Sequence, residues 1–390
     1  MIFLISFTLL LLFLYVLLFL YYRYGWSLIG VTKSNGSKTF QTHVSVVIPF
    51  RNEAQNLPNL LLCLANQSYP NHLLEFILVN DHSDDDGPDL VAQSNIKNIH
   101  LISLADSISA SHSQAYKKLA IEAAIQKSNG ALIITTDADC IMGPHWVSSI
   151  VEHYEQTHAA FLVMPVLLKS DSSICSTFQS IDFMSMQGIT AASAALHFHH
   201  MCNGANLAYP RSVFYEVNGF SGIDHIASGD DLLLMNKIAN LYPDRISYVK
   251  NKEAIVSTLP APNWTAFFQQ RIRWASKANH YQDKKMLPVL FVVYLFNVLL
   301  FSLCLFSLLS FFTTLTSPEN RLCLFTLTLL SFGIKTIAEL IFLIPVSLFY
   351  GKRNQLYVFP FLQPLHVFYM VVAGWLGKFG SYTWKGRKLK

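Results

Sequence analysis

Two carboxylates, Asp137 and Asp139, stand one residue apart in the stretch Thr135-Thr136-Asp137-Ala138-Asp139-Cys140. The apolar run Ala131-Leu132-Ile133-Ile134 directly before them reads as a buried strand. The acids therefore fall where that strand ends, and in open α/β sheets ligands sit outside the carboxyl ends of the strands. Two acids at such a place are costly unless a cation or a positive partner meets them. A hard divalent ion that also takes substrate phosphate oxygens is the natural partner. The plainer reading is an Asp-rich turn, since Asp is a common turn former.

The surrounding chain supplies the elements that must position them. Val44-Ser45-Val46-Val47-Ile48-Pro49-Phe50 reads as a buried first strand, and Arg51-Asn52-Glu53 opens the turn after it. Leu57, Leu60, Leu61 and Leu64 follow at helical spacing. Glu75 to Asn80 is a second strand that runs into Asp81-His82-Ser83-Asp84-Asp85-Asp86, a second acidic strand end. Ala115 to Ala120 is a helix start carrying Lys117 and Lys118. Strands alternating with helices imply a mostly parallel sheet. Three polar strand ends, 51–53, 80–85 and 137–139, then line one edge, and that agreement is stronger than any one motif. Further on, Asp230-Asp231 precede a helix expected over Leu232 to Asn240, where they also suit an N-cap pair. Gln270 and Arg273 fall three apart and share a helix face.

Charge is distributed unevenly along the 390 residues. Met1 to His43 holds no Asp or Glu, and after Asp283 the only acids are Glu319 and Glu339. An acid-bearing globular block over 44–285 thus lies between apolar flanks, a length that suits one α/β domain. The small net charge of +4 resides largely in the flanks. It points to an anionic membrane surface and not to nucleic acid. Residues 1–24 read as an uncleaved transmembrane anchor, with Tyr21, Tyr22, Tyr24 and Trp26 as an interfacial belt around Arg23. Arg23, Lys33 and Lys38 place the central block on the cytosolic side by the positive-inside rule. The expected location is the cell (inner) membrane, multi-pass.

Residues 287–379 form the C-terminal membrane region. Leu287 to Phe312 is one span and Leu322 to Tyr350 another, the latter carrying Lys335 and Glu339 four residues apart. Those two either pair across one helix face or line an access route. Leu356 to Phe379 is interrupted by Pro360, Gln363, Pro364 and His366. Lys352-Arg353 before it and the basic tail 380–390, together with Lys378, favour the cytosol. Three spans plus a re-entrant or interfacial segment satisfy that preference, with four spans as the alternative. The six cysteines show no CxxC, and His197, His199, His200 and Cys202 match no structural zinc spacing, so a loop of satisfied histidines is expected there.

Five stretches, in order, carry a resemblance to membrane-bound family 2 glycosyltransferases of GT-A fold: Val44 to Glu53, Val79-Asn80-Asp81-His82-Ser83, Asp137-Ala138-Asp139, Ser228-Gly229-Asp230-Asp231, and Gln270-Arg271-Ile272-Arg273-Trp274. The last matches the QxxRW signature of cellulose- and hyaluronan-synthase-type enzymes. The resemblance implies transfer of a sugar from a nucleotide sugar, a UDP-sugar in the first instance, with inversion. It implies that Asp81 contacts the base or ribose, although Asn80 stands where the first member of an Asp pair is usual. It places Glu53 near the nucleoside, Lys117 or alternatively Lys118 near the pyrophosphate, and Mg2+ or Mn2+ on Asp137 and Asp139. Asp231 would be the general base, and Arg273, whose guanidinium donates in parallel, would meet the diphosphate. Trp274, Gln270 and Asp230 would serve the acceptor, a lipid or glycan at the membrane, near the 203–206 loop Asn-Gly-Ala-Asn.

The processive synthases often carry a further Asp two residues after the Glu-Asp pair, and here Leu233 stands there. Single transfer is therefore preferred over a processive polysaccharide synthase. An inactive sugar-nucleotide-binding regulator of a membrane complex is a second alternative, and a transporter has too few spans behind it. Sugar, linkage and oligomeric state are not legible in these residues.

Overall fold

The computed structural model describes residues 1–31, 40–107, 115–226, 229–276, 283–312, 317–379, 382–384 and 387–389. The chain packs into two compact units. One is Leu28–Lys169 with Ser193–Leu259, and the other is Met1–Ser27, Ser170–Ala192 and Pro260–Lys390. The block expected over 44–285 is thus interleaved: α10, the helix that carries Gln270 to Trp274, belongs to the second unit.

In chain order the elements are α1 (Ile2–Leu28), β1 (Val44–Phe50), α2 (Leu57–Ala65), β2 (Leu74–Asn80), α3 (Gly87–Ala92), β3 (Ile99–Ser103), α4 (Leu104–Ser107), α5 (Tyr116–Lys127), β4 (Leu132–Thr136) and β5 (Ile141–Met142). There follow α6 (Trp146–Thr157), β6 (Phe161–Val163), β7 (Val166–Leu168), α7 (Ile174–Ala195), β8 (Asn206–Pro210), α8 (Arg211–Glu216), α9 (Asp230–Leu241), β9 (Ile246–Tyr248), β10 (Val256–Thr258) and α10 (Trp264–Ser276). The chain ends with α11 (Met286–Phe312), α12 (Pro318–Tyr350), α13 (Phe359–Phe379) and a hairpin of β11 (Tyr382–Trp384) and β12 (Arg387–Leu389).

In the first unit the described strands build a sheet of order β3-β2-β1-β4-β8-β6-β9. β3, β2, β1 and β4 run parallel, and β8 is antiparallel to both β4 and β6. The parallel strands are apolar and buried on both faces, with Val46, Val47, Ile48, Leu78, Val79, Ile133 and Ile134 fully buried. Each such side chain contributes roughly 1.5–3 kcal/mol of transfer free energy. Gly130 lets the turn into β4 pass against β1, since a Cβ there would lie 2.4 Å from the Ser45 backbone nitrogen. The register pairs Phe50 with Asn80 and Val47 with Thr135, so β1, β2 and β4 end at one edge. The three polar strand ends meet as the alternation of elements predicts. The first two are also laced together: Asp81 N–H donates to the Phe50 carbonyl at 2.8 Å, Asp84 N–H to Asn52 Oδ1 at 2.8 Å, and Ala54 N–H to Asp85 Oδ2 at 2.8 Å.

A second sheet of order β5-β10-β7 carries Thr258 at the end of β10. Asn206, fully buried at the start of β8, joins neighbouring segments. Its Nδ2 donates to the carbonyls of Pro165 and Ala254, each at 2.9 Å, and its Oδ1 accepts from Trp146 Nε1 at 3.1 Å.

The second unit contains, among the described residues, four helices long and apolar enough to cross a membrane: Ile2–Leu28, Met286–Phe312, Pro318–Tyr350 and Phe359–Lys378. The break expected in the last is absent. α13 runs through Pro364, and Pro360 sits in its first turn, where a missing N–H costs nothing. α12 begins at Pro318 and α1 extends to Leu28, each a few residues beyond the expected limits. Lys33, Lys38, Lys385 and Lys390 lie outside the described residues.

Inside this unit Lys335 is fully buried and Glu339 nearly so. Lys335 Nζ donates to Glu339 Oε1 at 2.7 Å and to Gln363 Oε1 at 2.6 Å. Tyr15 Oη and Gln363 Nε2 also donate to the Glu339 carboxylate. Of the two readings of Lys335 and Glu339, the structure shows the pair. α7 and α12 approach closely where a Cβ on Gly188 would lie 2.8 Å from Phe342 and Val346. Removing one member of a buried ion pair strands the other charge. Lys335→Met is expected to destabilise this unit by about 3–5 kcal/mol. Adding Glu339→Gln recovers most of that, because Gln still accepts from Tyr15. Thermal unfolding of the purified proteins in detergent checks both.

Candidate active site

The first turn of α5 places two lysines side by side in sequence, and the structure separates their roles. Lys117 Nζ lies 2.7 Å from Asp137 Oδ1 and 3.3 Å from Asp230 Oδ2. Burial alone would lower its pKa, but the charges of Asp137, Asp230 and Asp231 outweigh that and raise it. Lys117 therefore holds its proton more tightly than a free lysine does. Lys118 is 2% exposed, and its Nζ donates to the backbone carbonyls of Ile223 and Ile226, each at 2.7 Å. Of the two lysines, Lys117 is the one among the acids.

Asp230 and Asp231 form the first turn of α9, which begins two residues before the expected Leu232. Gly229 takes the N-cap position at φ +78°, a left-handed conformation that suits glycine. Asp230 is thus not the cap; it faces Lys117. Asp231 is oriented from two sides, Oδ1 accepting from Leu232 N–H at 2.8 Å and Oδ2 from Gly204 N–H at 3.0 Å. β8 pairs antiparallel with β4, Asn206 opposite Thr136, and this brings the 203–206 loop to the acids. Thr136 Oγ1 holds the loop by donating to the Ala205 carbonyl at 2.8 Å. A Cβ on Gly204 would lie 3.3 Å from Lys117 Nζ, 3.4 Å from Asp231 Oδ2 and 3.5 Å from Asp230 Oδ2. The absent side chain at 204 leaves room where the four charges meet.

Asp139 Oδ2 accepts from Thr258 Oγ1 at 3.0 Å. Burial, and then the neighbouring charge of Asp137, push the Asp139 carboxyl above the usual carboxylate range. The same two causes, with Asp139 added, raise the buried Cys140 thiol. No group of three or more His, Cys, Asp and Glu side chains among the described residues could hold a metal unaided. Two hard oxygen donors that repel each other fit a divalent ion whose remaining ligands come from a diphosphate. The zinc alternative at 197–202 is not formed: His199 bonds Ser193 Oγ at 3.1 Å and His197 the Pro243 carbonyl at 3.3 Å.

The expected nucleoside residues stand on the same strand edge. Glu53 Oε2 accepts from Asn56 Nδ2 at 2.7 Å. Asp81 Oδ1 pairs with His82 Nδ1 at 3.0 Å, and the His82 ring meets Tyr116 edge-on at 5.8 Å. Asn80 Oδ1 accepts from Ser83 N–H at 2.9 Å, a turn-forming bond.

Gln270, Arg273 and Trp274 are half-buried on α10 in the second unit. Sequence reasoning missed Arg271 between them. Its buried guanidinium pairs with Asp182 at 2.7 Å and lies 4.3 Å from the Trp274 ring centroid and 5.0 Å from that of Phe267. Tyr369 donates to the same Asp182 at 3.2 Å. One face of Trp274 is thus occupied by Arg271. Thr258 was also missed; it lies 119 residues from Asp139 in sequence and follows no motif.

Residues 45–217 match glycosyl transferase family 2, and residues 132–351, more than half of the chain, match glycosyl transferase family group 2. The chain is 26% identical over 257 residues to the probable glycosyltransferase YdaM of Bacillus subtilis, covering 64% of this chain and 58% of that relative. It is 33% identical over 114 residues to an undecaprenyl-phosphate 4-deoxy-4-formamido-L-arabinose transferase of Pseudomonas savastanoi pv. phaseolicola, covering 29% of this chain and 33% of that one. The chain thus spans less than two thirds of the length of these curated relatives. Among solved structures, the mannosyltransferase PcManGT of Pyrobaculum calidifontis, in complex with GDP-Man and Mn2+, is similar in fold with a TM-score of 0.55 at 16% identity. That likeness covers 96% of this chain and 98% of that one. By the match over residues 132–351 the chain belongs to glycosyl transferase family group 2, and it is a glycosyltransferase with a GT-A-like α/β fold.

Proposed function

We propose that this glycosyltransferase is an inverting, metal-dependent enzyme that moves a sugar from a nucleotide sugar to a lipid acceptor at the membrane. The observation that carries the reading is the cluster of Lys117, Asp137, Asp230 and Asp231 around Gly204, beside the edge where Asp81 and Glu53 stand. In this reading the nucleoside lies over Glu53 and Asp81, and Lys117 meets the diphosphate. Mg2+ or Mn2+ held by Asp137 and Asp139 supplies charge neutralisation to the diphosphate when bound. Thr258 keeps Asp139 oriented. Asp231, fixed by two backbone N–H groups, takes the proton of the acceptor hydroxyl as its oxygen attacks the anomeric carbon. The new C–O bond forms on one face while the bond to the diphosphate breaks on the other, so configuration inverts and a nucleoside diphosphate leaves.

The donor is proposed to be a UDP-sugar, read from Asp81; the GDP-mannose complex of the fold relative makes a guanosine donor the nearest alternative. Gln270, Arg273 and Trp274 are proposed to serve the diphosphate and the acceptor, in keeping with the QxxRW signature. A lipid-linked acceptor is supported by the apolar helices and by the undecaprenyl-phosphate substrate in the name of one relative. The catalytic unit is proposed to be cytosolic, with α1, α11 and α12 crossing the bilayer. α13, the least apolar of the four and flanked by Lys352, Arg353 and Lys378, then lies at the interface.

Asp139→Asn is expected to lower transfer at least about 100-fold, a loss typical of charge-stabilising groups in active sites. Excess EDTA should do the same to the wild type, and full activity of the purified enzyme in EDTA removes the metal from the mechanism. The product of a labelled donor in the presence of membrane lipid is expected to partition into organic solvent as one discrete glycolipid. A long water-soluble glycan ladder made by the purified protein alone would replace single transfer with processive synthesis.

A further inference from the structure

Two lysines outside the acid cluster hold the segment that leads into it. Lys118 Nζ donates to the carbonyls of Ile223 and Ile226, each at 2.7 Å. Lys237, seven positions into α9, donates to the carbonyls of Gly219 at 2.7 Å and Ser221 at 2.9 Å, with that of Asn218 at 3.5 Å. Backbone carbonyls from 218 to 226 thus converge on two ammonium groups. The winding that turns them inward uses three left-handed residues, Asn218 at φ +55°, Gly219 at +45° and Gly222 at +82°. At Gly219 a Cβ would also lie 2.8 Å from the Phe214 ring, so glycine is required twice over.

This arrangement has a cost that points to a purpose. An ammonium taken out of water is expensive unless its protons are satisfied, and an apolar side chain of similar length would cover the same surface without that expense. What an apolar side chain cannot do is pin carbonyl oxygens in place. The pinned segment ends three residues before Gly229, where α9 starts, and Asp230 and Asp231 follow at once. Lys117, from the same turn of α5 as Lys118, pairs with Asp230 at 3.3 Å. Adjacent residues of α5 therefore hold both the first residue of α9 and the turn that precedes it.

We propose that Lys118 and Lys237 are positioning residues that clamp the Asn218–Ile226 turn and thereby set where Asp231 points. The proposal rests on the reading of Asp231 as the general base. Lys118 carries the larger share, being buried and bonded close to Gly229, and Lys237 secures the far end of the turn. Burial lowers the Lys237 pKa, and the nearby charges of Asp224 and Glu122 offset that only in part. No atom of the substrate need touch either lysine.

The test uses the full chain in detergent or lipid, as wild type, Lys118→Met, Lys237→Met and Asp231→Asn. Three quantities are read: hydrogen exchange of peptides over 218–231, affinity for UDP or GDP (whichever the wild type binds) with Mn2+, and turnover. Lys118→Met is expected to speed exchange over 223–226 and 229–231 about tenfold or more, the scale of losing hydrogen bonds to a charged donor. It should lower turnover about tenfold and leave nucleotide affinity within about twofold. Lys237→Met should move both readouts the same way by less, with the double variant short of the product of the singles, as expected of two groups acting on one segment. Unchanged exchange and turnover in Lys118→Met overturn the clamp. So does a parallel fall in turnover, nucleotide affinity and melting temperature, which marks general destabilisation. If Lys118→Met does not fold, the more exposed Lys237→Met decides by the same readouts. Normal turnover in Asp231→Asn sinks the base assignment, while the exchange result still judges the clamp, because it does not depend on which residue is the base.

Discussion

The ammonium of Lys117 is the interaction on which the catalytic unit depends. Asp137 comes from the end of β4 and Asp230 from the start of α9, and without a cation between them two carboxylates would face each other across a half-buried site. Charge in such a place is tolerated only when paired. Lys117 meets that need, and the charges of the surrounding acids raise its pKa in spite of burial. The rest of the sheet can be read as the means of delivering these groups. The parallel strands β1, β2 and β4 end together, and the antiparallel β8 brings the backbone of Gly204 to orient Asp231.

Much of this was legible in the sequence because parallel strands are apolar runs and their polar ends stand out sharply. Asp137, Asp139, Asp81 and Glu53 could all be placed at one edge from that pattern alone, whereas Lys117 was only one of two candidates on a helix start. What could not be read depends on contacts between distant parts of the chain. Thr258 reaches Asp139 only because β10 joins a second, smaller sheet, and nothing local in its sequence marks it. Lys117 and Lys118 were indistinguishable because both sit in one helical turn, and their separation follows from the path of the 218–226 turn. Pro360 and Pro364 were expected to break the stretch from Leu356 to Phe379, but Pro360 falls in the first turn of α13, where prolines are harmless, and the helix runs on through Pro364.

The second unit applies the same rule of paired charge in an apolar setting. Lys335 with Glu339, and Arg271 with Asp182, are buried ion pairs; Gln363 and Tyr15 bond to the first, and Tyr369 donates to Asp182 in the second. Such pairs cost more to break than they return when formed, so they specify one arrangement of the helices more than they stabilise it. Arg271 does this from within the Gln270-to-Trp274 stretch, which gives that stretch a packing role beside the catalytic one proposed for it.

In the proposed mechanism Lys117 is the fixed cation for both the acids and the donor. Calorimetric titration of Lys117→Met and wild type with UDP and GDP, in the presence of Mn2+, tests this most directly. Loss of a charge-assisted contact to the diphosphate predicts at least about tenfold weaker binding of the preferred nucleotide. Turnover should fall by at least the same factor, at unchanged overall fold by circular dichroism. Nucleotide affinity and turnover equal to those of the wild type would contradict it, and would leave Lys117 as a structural counter-ion alone.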